Sequence, residues 1–221
     1  MPVKLFSDSM NATITDEDQV RIDRVLEFWF REQDMSAPKI DSRMDLWFGE
    51  DEVFDQEIAA TFGDDIELAS RGKLDHWTHT PRGRLALILL LDQFRRNMYR
   101  NTADAFAMDQ VVLKLCVEGA MAKADKDLSA IERVFFYMPL QHAESLRVQA
   151  KSVEIYNKLA TAVTPTYRET FETIAQFAEL HHDIVERFGR FPHRNKLLGR
   201  DNTPEEQEYL SGDDTPDFGQ G

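Results

Sequence analysis

The sequence predicts an all-α protein of about eight antiparallel helices packed around one buried central helix. Three observations predict it. Leu85 to Leu91 is apolar at every position, and a helix that is apolar on every face belongs in an interior. Around that run, a series of capped segments carries apolar residues at helical spacing. No segment alternates apolar and polar residues over the length of a strand. The apolar run is far too short for a bilayer, which needs about 20 residues.

Taken in order, residues 1–14 show no periodic apolar pattern and read as a disordered arm. Thr15 opens a helix, with Asp18 completing an acidic form of the capping box. Val20, Ile22, Val25, Leu26, Trp29 and Phe30 mark its apolar positions. Residues 34–50 read as a break, because Pro38 disfavours helix at Ala37; Leu46, Trp47 and Phe48 would fold back as a plug on the core. A helix over 51–70 follows. Thr80-Pro81 is a cap followed by proline at the first helical position, and it opens the central helix, which ends near Arg100. Thr102 caps a helix to about Lys123, and Ser129 with Glu132 opens another that kinks or stops at Pro139. Helices over 145–163 and from Thr164-Pro165 to Gly189 come next, then a short one behind Thr203-Pro204-Glu205-Glu206. The fixed repeat of tetratricopeptide proteins is not visible, although stacked helix pairs fit the lengths. A single helical domain over 15–211 and a disordered acidic tail over 212–221 complete the reading.

Acidic residues outnumber basic ones 40 to 26, a net charge of −14. So acidic a chain repels nucleic-acid phosphates and anionic lipid, which argues against nucleic acid or membrane as partners. The lone cysteine, Cys116, sits in the apolar run VVLKLCVEGA; it excludes an internal disulfide and fits a reducing compartment. The N-terminus lacks the apolar core of a secretory signal, so the expected location is cytoplasmic.

Three polar clusters carry the candidate chemistry. At the end of the central helix, Asp92, Gln93, Arg95 and Arg96 follow the apolar run directly. They form either a salt-bridged helix end or an arginine rim for a carboxylate or phosphate. Residues 187–200, RFGRFPHRNKLLGR, hold Arg190, His193, Arg194 and Asn195 and no acid, a local reversal of sign on a turn stiffened by Gly189 and Pro192. Either these bases bridge neighbouring acidic helices or they bind an anion. The third cluster is His142 with Glu144, together with His181 on the apolar stripe of the long helix. Both histidines are candidates for general acid/base work or for hydrogen-bonded core positions. His182 and Glu186 have helical ligand spacing, but no metal motif appears, and no metal or cofactor is implied. A nucleophile elbow, P-loop and dinucleotide fingerprint are also missing.

The stretches LDQFRRNMYRNTADAFAMD (91–109), ERVFFYMPLQHAESLRVQAKSV (132–153) and HHDIVERFGRFPHRNKLLGRDNTPEEQEYL (181–210), with VLEFWF near the start, resemble the bacterial family known as domain of unknown function 924. The resemblance covers roughly residues 20–211, and its most specific part is FGRFPHRN…LGR…TPEE. It implies an all-α fold similar to tetratricopeptide-repeat proteins and brings no established activity. The chain departs from the family pattern at Arg95, where LDQFPRN has proline, and at His142-Ala143-Glu144-Ser145, where the pattern is HSED.

Two functions compete, beside a third reading in which the three blocks are structural and hold the core and the last helix in place. One is a pocket for a small anionic ligand, with Asp92, Gln93, Arg95, Arg96, Glu144, Arg190, His193, Arg194 and Asn195 around it and His142 or His181 moving a proton. The other is a tetratricopeptide-like scaffold that holds a peptide or protein without catalysis. The first requires these residues to share one cleft with an arginine left unpaired; the second requires an open groove of exposed side chains. The oligomeric state is open.

Overall fold

The computed structural model of the chain describes residues 13–31 and 37–212, in which helices alternate with turns and no strand occurs. The elements are α1 (Asp16–Phe30), α2 (Ala37–Phe48), α3 (Glu52–Ser70), α4 (Pro81–Leu89), a π-helical turn (Leu90–Phe94), α5 (Arg95–Met98), α6 (Asp109–Met121), α7 (Ala130–Gln141), α8 (Leu146–Ala162), α9 (Arg168–Phe188) and α10 (Pro204–Leu210). Residues 1–12 and 213–221, on which nearly all of the expected arm and tail fall, lie outside the described residues. Ile14, at the edge of that arm, packs against the core. None of the described helices is long and apolar enough to cross a membrane.

The helix starts follow from side chains that satisfy the free N-terminal amides. Thr15 with Asp18, Ser129 with Glu132 and Thr203 with Glu206 each form both bonds of a capping box, and the Thr80 hydroxyl accepts from the Gly83 amide. Thr102, by contrast, caps nothing: its hydroxyl donates back to the Tyr99 carbonyl at 2.8 Å. A 3-10 turn over Ala103–Phe106 therefore stands where the sequence predicts continuous helix, and α6 begins only at Asp109. The Asp104 carbonyl in that turn accepts the Arg95 Nε at 2.7 Å, which ties the turn to α5.

Two proline readings are corrected. Pro38 lies in the first turn of α2, where a missing N–H costs nothing, so helix replaces the expected break. Pro139 does not end α7, which runs on to Gln141. The expected plug is this new helix. Trp47 is buried, Leu46 and Phe48 pack against the core, and Trp47 Nε1 and Arg43 Nη2 donate to the Trp29 carbonyl at 3.1 and 2.6 Å. The last turn of α1 has no basic residue of its own, so α2 supplies the donors its free carbonyls need.

Leu85 to Leu91 are each at most 2 % exposed, as a helix apolar on every face must be. α1, α6 and α7 surround α4, and α3 lies along the π turn. Beside it, Trp29 meets Trp47, Phe54, Phe94 and Phe135 at ring-centroid distances of 5.4–6.4 Å. Gly119 of α6 makes the close approach possible: a Cβ there would stand 2.4 Å from Arg84 Cδ and 2.7 Å from Phe136 Cζ. Leu90→Ala removes a fully buried side chain from this centre. It should cost about 2–5 kcal/mol by chemical denaturation, through lost transfer free energy and the cavity left behind.

Candidate functional site

Where the apolar run ends, the helix stays buried although its side chains become polar. Asp92, Gln93, Arg95 and Arg96 are all at most 7 % exposed. They sit on the π turn and the turn after it. A π turn inserts one residue into the helical ladder and shifts the direction of every side chain that follows.

Asp92 is the centre of the cluster. Its carboxylate accepts from His142 Nδ1 at 2.7 Å and Gln93 Nε2 at 2.7 Å, and stands 3.3 Å from Arg96 Nε. Burial alone would push this carboxyl up; the hydrogen bonds from His142 and Gln93 and the Arg96 charge outweigh it and hold it well below the usual carboxylate range. Asp109, at the start of α6, takes Arg96 Nη2 at 2.7 Å on one oxygen and Arg194 Nη1 at 3.1 Å on the other. Arg194 Nη1 also donates to the His142 carbonyl at 3.1 Å, which closes a ring of contacts from His142 through Asp92, Arg96, Asp109 and Arg194 back to His142. The Arg194 guanidinium lies between the rings of Phe106 and Phe191, 4.7 and 4.4 Å from their centres.

One face of this ring borders a cavity of about 170 Å³. Its polar lining is Gln93, Arg96, Asn97, Arg100, Gln141, His142, His181, His193 and Arg194; its apolar lining is Trp47, Phe48, Met138, Ile174 and Phe177, with Gly49 at the edge. Among the described residues no carboxylate belongs to the lining. Asp92 and Asp109 stand behind Arg96 and Arg194, and Asp55 pairs with Arg100 at 2.6 Å.

The histidines feel the arginines. Since an ionised carboxylate only accepts, His142 Nδ1 carries the proton and Nε2 the lone pair. Burial and the Arg96 charge push the His142 pKa down, so the ring is neutral at pH 7. His181 donates through Nδ1 to the Phe177 carbonyl at 2.7 Å, and burial, then His142, Arg194 and Arg96, lower it to about 3. His193 is lowered to about 3 by burial and by Arg194. Arg194 itself, pushed down to about 10 by burial and Arg96, stays charged.

The structure thus divides the residues singled out from the sequence. Gln93, Arg96, His142, His181, His193 and Arg194 line the cavity, with Asp92 directly behind. Arg95 does not: it donates to Ser70 Oγ at 3.0 Å and to the Asp104 carbonyl and stacks on Tyr99. Glu144, Arg190 and Asn195 form a separate clamp. Glu144 accepts the Phe191 amide at 2.8 Å and both Nη groups of Arg200 at 2.7 and 2.9 Å. Asn195 bonds Arg200 Nε and Asn202, and Arg190 grips Glu206 of α10 at 2.7 and 2.8 Å. With Phe191 wholly buried, the clamp pins the 189–200 turn against α9 and α10.

The requirement of an unpaired arginine is not met as stated. Arg96, Arg100 and Arg194 each reach a carboxylate, yet Arg96 Nη1 and Arg194 Nε are buried and make no hydrogen bond. Asp109 was missed from the sequence although it ends the 91–109 block. Gln141, Asn97 and the aromatic wall were missed because nothing in their local pattern distinguishes them from core or surface. His182, Asp183 and Glu186 do gather, with ligand atoms within 4.8 Å, but on the solvated face of α9 away from the cavity.

Fold and site together define an all-α protein with an arginine- and histidine-walled cavity at the end of its central helix. The chain belongs to the bacterial family of unknown function DUF924, whose profile matches residues 25–214. It is similar to the solved structure of a protein of unknown function, ATU0120, from Agrobacterium tumefaciens, at 36 % identity over 87 % of this chain and 98 % of that one, with a TM-score of 0.73. No match was found among curated proteins.

The buried histidines set a pH dependence. His181 and His193 have folded pKa values near 3 against about 6.5 when unfolded, so between these limits the unfolded chain binds more protons. Stability should therefore fall as pH drops from about 6.5, before the buried carboxylates contribute their own loss below about 4. Denaturant midpoints measured from pH 7.5 to 4.5 should decline, and His193→Asn should flatten the decline; a constant midpoint over that range would contradict the burial of both rings.

Proposed function

We propose that the protein binds a small anionic molecule in this cavity and that His142, oriented by Asp92, exchanges a proton with it. The observation that carries the reading is the lining: among the described residues it holds three arginines, three histidines and no carboxylate, in a chain of net charge −14. The depressed pKa values of His181 and His193, both lowered in part by Arg194 and Arg96, express the positive field that an anion would meet. Arg96 and Arg194 would face the anion as planar donors. The Asp92–His142 pair resembles the orienter-and-base pairs of enzymes: the carboxylate fixes the tautomer and leaves Nε2 as the basic nitrogen.

A scaffold that holds a peptide by its terminal carboxylate would use the same arginines but needs an open groove. Here most of the lining side chains are buried or half-buried, and a volume of about 170 Å³ suits a small molecule. The acidic surface and the single buried thiol fit a cytoplasmic setting without nucleic-acid partners.

A thermal-shift and denaturation screen against anionic metabolites tests the proposal. A ligand at 100 times its dissociation constant should raise stability by about 2.7 kcal/mol. Arg96→Lys, which keeps the charge but loses the fork, should weaken that ligand roughly tenfold or more. His142→Gln should leave binding within a few-fold while abolishing the shift of an imidazole resonance on titration with ligand. A broad anion screen with no stabilisation by any compound would overturn the reading.

A further inference from the structure

The cavity has two unlike halves. Arg96, Arg194 and the histidines make one; Trp47, Phe48, Met138, Ile174 and Phe177 make the other. Trp47, Met138 and Ile174 of the apolar half belong to the core, and Phe177 at its edge does not. Phe177 is 41 % exposed and lies nearly parallel to Phe48, with ring centres 6.2 Å apart and planes 17° apart. An inorganic anion would leave this wall without a partner.

The charges limit the head group. The cavity arginines Arg96, Arg100 and Arg194 carry three positive charges, and Asp92, Asp109 and Asp55 behind them carry three negative ones. With the histidines neutral the site sums to zero. One negative charge can be balanced by a single proton taken up on a cavity histidine; a dianion would need two protons on mutually repelling rings. Size limits the rest, since a cavity of about 150 Å³ takes a benzene-sized body.

We propose that the ligand is a small monocarboxylate with a ring-sized apolar body of about six or seven carbon atoms, its carboxylate on the Arg96–Arg194 side and its body against Phe48, Phe177 and Ile174. This rests on the anion-binding reading above and names its substrate class.

Calorimetry on the whole protein with acetate, phenylacetate, benzyl alcohol and phenyl phosphate tests it. Phenylacetate should bind about 10- to 100-fold tighter than acetate, the factor expected for burying a ring, and tighter than benzyl alcohol and phenyl phosphate. Equal affinity for acetate and phenylacetate would overturn the amphipathic ligand and leave the anion site standing. Benzyl alcohol equal to phenylacetate would overturn both, and no binding by any of the four would overturn the ring-bearing monocarboxylate while the broad anion screen decides the site itself. Phenyl phosphate tighter than phenylacetate would overturn the single-charge head. Phe177→Ala removes an exposed ring and should melt like the parent. In that variant the advantage of phenylacetate over acetate should drop several-fold, and an unchanged ratio would overturn the placement of the body.

Discussion

The structure depends on keeping one carboxylate ionised at the end of an apolar helix. Asp92 is 1 % exposed, and an uncompensated charge at that depth is among the most expensive things a fold can contain. Its compensation recruits four other parts of the chain: His142 at the end of α7, Arg96 on α5, Asp109 at the start of α6, and Arg194 in the 189–200 turn. Signs alternate around the ring wherever two charges meet. Arg194, which also holds the His142 carbonyl, is braced by two aromatic rings. Segments 50 to 85 residues apart in sequence are thereby fixed to within a hydrogen bond of one another, and the cavity is the space they leave.

The π turn at Leu90–Phe94 falls just where the helix becomes polar, and Asp92, Gln93, Arg95 and Arg96 are all buried there. Arg95 then goes to α3 and the 103–106 turn, and Arg96 goes to the ring. The family pattern's proline at the Arg95 position would bring no guanidinium there. Arg95 instead donates to Ser70 and Asp104, so in this chain the residue serves the frame and not the cavity.

What the sequence made legible follows from how local each signal is. Capping boxes and the Thr80-Pro81 start depend on residues within one turn, and they place α1, α4, α7 and α10 correctly. The buried centre is legible because seven adjacent apolar residues admit no exposed face. Thr102 and Pro38 misled because the same residue types serve more than one backbone role, and only tertiary partners such as the Asp104–Arg95 bond decide which. The π turn left no local mark. In the basic run 187–200, the sequence could not separate the clamp from the cavity wall. Arg190 and Arg200 find Glu206 and Glu144, whereas Arg194 finds Asp109, 85 residues away. Charge alone does not say which acid lies across the gap.

A ring of buried charges is a poor way to make a stable protein. Each ion loses its hydration, the pairs recover that loss only with good geometry, and apolar residues of similar volume often serve stability as well or better. The helix that leads into the ring demonstrates the alternative, since Leu85 to Leu91 pack without a single polar side chain. If packing were the only requirement, the run could continue as it began. Instead the chain turns abruptly to Asp, Gln and Arg and meets them with His142 and Arg194. It also leaves Arg96 Nη1 and Arg194 Nε without hydrogen bonds, as Arg43 Nε and Arg84 Nε are left elsewhere in the core. The clamp of Glu144, Arg190, Arg200 and Asn195, a few residues away, shows what a structural network looks like here. There both Nη groups of Arg200 reach one carboxylate and none of its buried side-chain polar atoms lacks a hydrogen bond. Clamp and ring thus meet the same need, pairing buried arginines with carboxylates, with different completeness.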